Sequence, residues 1–132
     1  MQVDNKTWLI PALDYMKSAF QTEPNGNGYN TVFGAIEDVK ISPDQIDVIK
    51  QLLDSNTVEF RRLGSYILRD SGLKQVLPIL KQALNDSDRK VRYNAVMGLA
   101  RITGDNKHGP AMFIYDENEA EYLNYWKNKP LE

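Results

Sequence analysis

Residues 73–104 read LKQVLPILKQALNDSDRKVRYNAVMGLARITG, and their periodicity decides the fold. Val76, Leu77, Leu80 and Leu84 recur at helical spacing. Val91, Ala95, Leu99 and Ile102 follow at steps of about 4, 4 and 3 residues, one stripe of a 3.6-residue helix. The polar run NDSD between the stripes marks a tight turn. Ala95 and Gly98 are small enough to let a neighbouring helix approach closely.

The stretch before it repeats the pattern at an offset of 31 positions. Ile49–Leu53 (IKQLL) falls on Leu80–Leu84 (LKQAL), and no gap is needed to continue. Lys50, Gln51, Leu53, Arg61 and Leu68 land on identical residues, while Phe60 falls on Val91 and Gly64 on Ala95. One helical hairpin cannot bury its own apolar face, but a second copy stacked on it makes a continuous core.

Pro78, Asp86, Val91 and Arg92 carry a more specific signal. A Pro in the first helix, an Asp in the turn and a Val-Arg pair opening the second helix resemble the HEAT-type α-helical repeat of bacterial HEAT-like proteins. The resemblance covers residues 42–104. It implies that Asp86 and Arg92 belong to a polar ladder between repeats and are structural. The earlier copy departs from the pattern: Asp47 stands where the Pro would be and Ser55 where the Asp would be, with Arg61 retained. The fold expected is all-α, a short α-solenoid (α-α superhelix) of stacked antiparallel helical hairpins closed by a C-terminal capping helix. Residues 42–72 and 73–104 are the repeats, 1–40 a degenerate N-terminal cap hairpin and 105–132 the C-terminal cap.

Outward from the repeats, residues 7–23 predict a helix with Leu9, Leu13, Met16 and Phe20 on one stripe. Pro11 fits only a first turn, so regular helix is expected from about there. The stretch PNGNGYN, residues 24–30, reads as a loop, and residues 31–40 as a short helix. Ser42-Pro43-Asp44-Gln45 is a helix start with a capping box, and Gly72 and Gly104 are expected left-handed helix stops. After Gly104 an irregular stretch should bring Met112, Phe113 and Ile114 over the open apolar end of the last hairpin. Asp116 should then begin a final helix, with Glu119 as capping partner and Tyr122, Tyr125 and Trp126 on one side.

A chain of 132 residues is sized for one domain with a proper core. It has no Cys, so there is neither a disulfide nor a thiolate metal site. The N-terminal MQVDNKTWLIP lacks the basic and apolar regions of a signal peptide, and no apolar run suits a membrane span, so a cytoplasmic protein is expected. His108 is the lone His, so neither a metal nor another cofactor is expected. The chain lacks a phosphate-binding Gly-rich loop and a nucleophile motif, and pairs such as Glu37/Asp38 read as solvated charges. The reading is of a protein that is not an enzyme, and a small-molecule ligand is not expected.

The net charge of −2 conceals segregation: residues 58–104 carry nine Lys/Arg against four Asp/Glu, between acidic flanks. Two function classes fit. The first is a protein-binding module, within it a small bacterial inhibitor such as the immunity protein of a toxin. Arg62, Tyr66 and Asp70, and Tyr93, Met97 and Arg101, each follow i, i+4, i+8 and would project along one face of the second helices. Tyr66 and Met97 would equally suit packing between hairpins. The acidic ends, Glu117, Glu119 and Glu121 with Tyr122 nearby, or Glu37 and Asp38, could imitate phosphate to a nuclease-type target. The second class is nucleic-acid binding through the basic block, with a scaffold subunit of a larger assembly as a further alternative.

Overall fold

The computed structural model describes residues 5–23 and 26–131. Its regular structure is entirely helical, with seven α-helices among the described residues. The chain divides into two compact units, Met1–Ile41 and Ser42–Glu132.

In the first unit α1 (Asn5–Thr22) packs against α2 (Asn27–Glu37). Leu9, Leu13 and Met16 of the expected stripe are buried, and Phe20 meets Tyr29, whose ring also meets Phe33. Two expectations are corrected. The helix starts ahead of Pro11, which lies inside α1 at an exposed position. A proline there removes one backbone hydrogen bond, and on an exposed face the helix can continue past it. The expected loop is also shorter: Asn27–Asn30 belong to α2, because burial of Tyr29 outweighs the turn preference of the Asn-Gly pair. Pro24 and Asn25 lie outside the described residues.

The second unit repeats itself at the spacing read from the sequence. A 3-10 turn at Pro43–Gln45, helix α3 (Ile46–Leu53) and helix α4 (Val58–Arg69) form the first hairpin. A 3-10 turn at Lys74–Val76, helix α5 (Leu77–Ala83) and helix α6 (Arg89–Thr103) form the second. Each start in the second hairpin lies 31 positions after its counterpart. The start at Ser42–Gln45 and the two glycine stops are the expected ones, and the Asp88 cap adds to them. Gln45 accepts from the Ser42 N–H at 3.0 Å with Pro43 behind it, and Asp88 caps α6 by accepting from the Val91 N–H at 3.1 Å. Gly72 and Gly104 take positive φ values of 70° and 80° at the ends of the hairpins.

Helix α4 packs against α3 and α6, and α6 against α5. Val76, Leu80, Leu84, Val91, Ala95 and Leu99 are buried with Ile49, Leu52, Phe60, Leu63, Ile67 and Leu68, while Leu77 and Ile102 are partly covered. Burial of such side chains stabilises by roughly 1.5–3 kcal/mol each.

The end of the chain differs from expectation. Helix α7 spans Met112–Asn128 as two helical arms joined by a kink at Asn118, so Asp116 lies in the first arm and opens neither. Backbone geometry departs from helical at Asn118, whose side-chain amide donates to the Ile114 carbonyl at 2.9 Å. Glu119 therefore caps nothing. The cover comes from Tyr115 and Trp126, both fully buried, and not from Met112, Phe113 and Ile114, which stay 42 %, 72 % and 39 % exposed. Starting the helix at Met112 explains this. Tyr115, Glu119, Tyr122 and Trp126 are the covered positions; Phe113 and Ile114 fall on other sides of the first turn, and Met112, one turn before Tyr115, is only partly covered.

Candidate functional site

The second unit is held by arginines acting in register. Arg61, in the first turn of α4, donates to the carbonyls of Ser55 and Asn56 in its own hairpin turn at 3.1 and 3.3 Å. Its Nε donates to Asp86 in the next turn at 3.1 Å. Arg92, in the first turn of α6, donates to the carbonyls of Asp86 and Ser87, both at 3.0 Å. It forms a two-pronged pair with Glu119 of α7, at 3.1 and 2.9 Å. Asp86 and Arg92 are thus both tied into bonds between successive elements of the chain.

Further pairs tie the same elements. Arg62 holds Asp88 at 3.0 and 2.7 Å, and Arg89 meets Asp116 at 3.0 Å. Arg101 meets Asp70 at 2.6 Å, and Arg69 meets Asp70 at 3.2 Å. Every one of the six arginines is therefore paired with a carboxylate of the same chain.

These bonds decide where the sequence-predicted interface residues stand. Arg62, Asp70 and Arg101 are engaged between α4 and the second hairpin and do not project as a free row. Tyr66 lies under the Arg69 guanidinium, 4.2 Å from ring centre to charge. Tyr93 is buried and donates its hydroxyl to the Pro110 carbonyl at 2.9 Å; burial raises its pKa above the ordinary tyrosine value. Met97 is half-buried. The expected face is thus partly engaged in bonds between hairpins, with Arg62 and Arg101 keeping 40 % and 50 % of their side chains exposed. Asn94 adds to these bonds, donating to Ser65 Oγ at 2.9 Å and accepting from Arg69 at 3.2 Å.

The acidic end also divides. Glu119 is committed to Arg92 and accepts from the Tyr115 hydroxyl. Burial opposes its ionisation, yet the hydrogen bonds from Arg92 and Tyr115 still leave its carboxyl below the usual range. Tyr115 is pushed up, first by burial and then by Glu119. Tyr122 packs toward Tyr115, with ring centres 6.3 Å apart. Glu117 and Glu121 remain: both are exposed, and neither has a partner among the described residues.

Sequence reasoning missed two features. The first is a clasp between residues 105–108 and the end of α7. His108 stacks on Tyr125 at 3.5 Å, and its Nδ1 lies 2.9 Å from Asp105. Asp105 also accepts from the Tyr125 hydroxyl and, at 3.3 Å, from Lys129. Its carboxyl is held at about 2, chiefly by the Tyr125 hydroxyl and then by His108. The second is the exposed run Met112–Ile114, of which Phe113 lies one helical turn before exposed Glu117, with exposed Glu121 following across the kink at Asn118. The helical period counted from Met112 would have set Phe113 and Ile114 apart from the Tyr115 stripe; the assumed start at Asp116 concealed it.

Among the described residues, no group of three or more His, Asp or Glu side chains could hold a metal ion. No described helix is long and apolar enough to cross a membrane. Neither protein-family models, nor curated proteins, nor solved structures give a match to the chain.

Proposed function

We propose that the chain is a non-catalytic protein-binding module built on HEAT-like repeats, and that it acts as a small inhibitor, of the kind that gives immunity to a toxin, by binding its target directly. The observation that carries the binding reading is the contiguous exposure of Met112, Phe113 and Ile114 on a helix otherwise anchored by Tyr115, Glu119 and Trp126. An apolar cluster left in water on an ordered helix marks a protein contact. The inhibitor step rests on small size, net negative charge and the absence of a sequence motif for chemistry. The solenoid arrangement is proposed on the 31-residue recurrence and the arginine ladder.

The nucleic-acid alternative is weakened by the pairing of all six arginines, because phosphate binding would have to displace a carboxylate from each. Purification of the tagged chain from its native cells at moderate salt, with and without nuclease, tests the reading. One stoichiometric protein that survives nuclease supports it. Loss of all bound material on nuclease treatment would put the nucleic-acid reading in its place, and a multi-subunit assembly would favour the scaffold.

A further inference from the structure

We propose that the outward side of α7, from Ala111 to Glu121, is the docking surface of this chain, and that its occupant is a protein presenting an apolar pocket with a basic rim. The inference rests on the binding-module reading and deepens it, giving the surface and the chemistry of the partner.

Two properties coincide there. The first is the apolar anchor: Phe113 is 72 % exposed, with Met112 and Ile114 beside it. An aromatic side chain with two rotatable bonds loses little entropy when it fills a pocket, which is why such residues dominate contact energies. The second is charge. Glu117 stands four residues after Phe113, one helical turn along, and Glu121 follows across the kink at Asn118. Both are exposed and neither has an internal partner among the described residues, whereas Asp116 and Glu119 on the same helix are held by Arg89 and Arg92. The chain's own arginines thus pair with Asp116 and Glu119 and leave Glu117 and Glu121 uncompensated among the described residues.

The pattern selects the occupant. A second copy docking face to face through the same patch would set Glu117 and Glu121 against their own counterparts, a like-charge juxtaposition that disfavours pairing. A nucleic acid or an anionic membrane would meet carboxylates at the place where it needs cations. A basic protein surface meets opposite charge at the rim and fills its pocket with Phe113. The ladder holds α7 in place beforehand, so little ordering accompanies docking.

The test uses a defined probe, a 14-residue amidated helix of Leu and Lys, with backbone NMR of the full chain. The wild type is compared with F113S, with E117Q/E121Q, and with E37Q/D38Q as an acidic control in the other unit. All substituted side chains are at least partly exposed and belong to no described ion pair, so each variant should keep the wild-type thermal midpoint. Shifts should concentrate in residues 111–121. F113S should weaken binding about tenfold or more. E117Q/E121Q should weaken it about fivefold and flatten its salt dependence, and the control should change nothing. Shifts elsewhere, equal affinity in all variants, no binding at millimolar peptide, or self-association abolished by F113S would each overturn the proposal.

The two readings fail separately. A stoichiometric partner from native cells that F113S retains undiminished would remove this surface and leave the binding module standing. A localised peptide site in a chain that carries only nucleic acid in its cells would do the reverse.

Discussion

Arg61 and Arg92, 31 positions apart, make the same contacts twice: each donates to two carbonyls of the turn before its own helix and to a carboxylate of the next element. Arg61 reaches Asp86, while Arg92 reaches Glu119, which comes from a helix that is not a third hairpin. Helix α7 thus takes the place of a next repeat by supplying one carboxylate at the right point.

The ladder sets the first prediction. Arg92→Ala leaves the half-buried Glu119 and two turn carbonyls without their donor, and should cost about 2–4 kcal/mol. Arg61→Ala should cost a similar amount. Urea denaturation measures both; losses within about 0.5 kcal/mol would mean the arginines are surface ornament.

Acid sensitivity follows from the carboxylates. Asp105 is held at about 2 by Tyr125 and His108, and Asp88 is lowered chiefly by its hydrogen bond from Arg62. Their folded values lie below the unfolded value of about 3.9, so the folded state binds fewer protons in between. This stabilisation is complete above roughly pH 4 and is lost as pH falls toward 2. Thermal midpoints should therefore drop over that window. Asp105→Asn should lower the neutral midpoint and flatten the drop; a curve parallel to wild type would contradict the clasp.

Tyr93 is a core residue with a buried hydroxyl bonded to Pro110. Tyr93→Phe should destabilise by about 1–2 kcal/mol by leaving that carbonyl unpaired. It should leave partner affinity unchanged when measured by calorimetry on folded protein. Weakened binding with intact stability would return Tyr93 to the interface.

Two glycines should respond in opposite directions. At Gly98 an added Cβ would lie 2.7 Å from a Leu80 methyl and 3.1 Å from the Arg69 backbone, where α6 approaches α4. Gly98→Ala should cost about 1–3 kcal/mol. Gly34, in α2, has nothing within 4 Å of that position, and Gly34→Ala should stabilise by about 0.5–1 kcal/mol. Equal effects in thermal melts would refute the close approach.

The repeat was legible because Leu, Val and Arg recur at one offset and apolar burial follows helical period, which local sequence reports directly. The ends were less so. Pro11 and the pair Asn27-Gly28 signal breaks that tertiary burial of Leu9 and Tyr29 overrides. The start of α7 depended on Tyr115 finding a buried place beside Tyr93, a long-range contact invisible in local spacing. For the same reason Arg62, Asp70 and Arg101 read as an open row: i, i+4, i+8 spacing gives a shared side of a helix but not what lies opposite, here Asp88 and the facing charges of the neighbouring helix.

Hydrogen exchange of the chain, free and with its nuclease-resistant partner bound, tests the central claim most directly. The account predicts slower amide exchange in residues 111–121 and no change across 62–70 and 93–101, where side chains already face one another inside the chain. Protection confined to 62–70 and 93–101, with α7 unaffected, would contradict it.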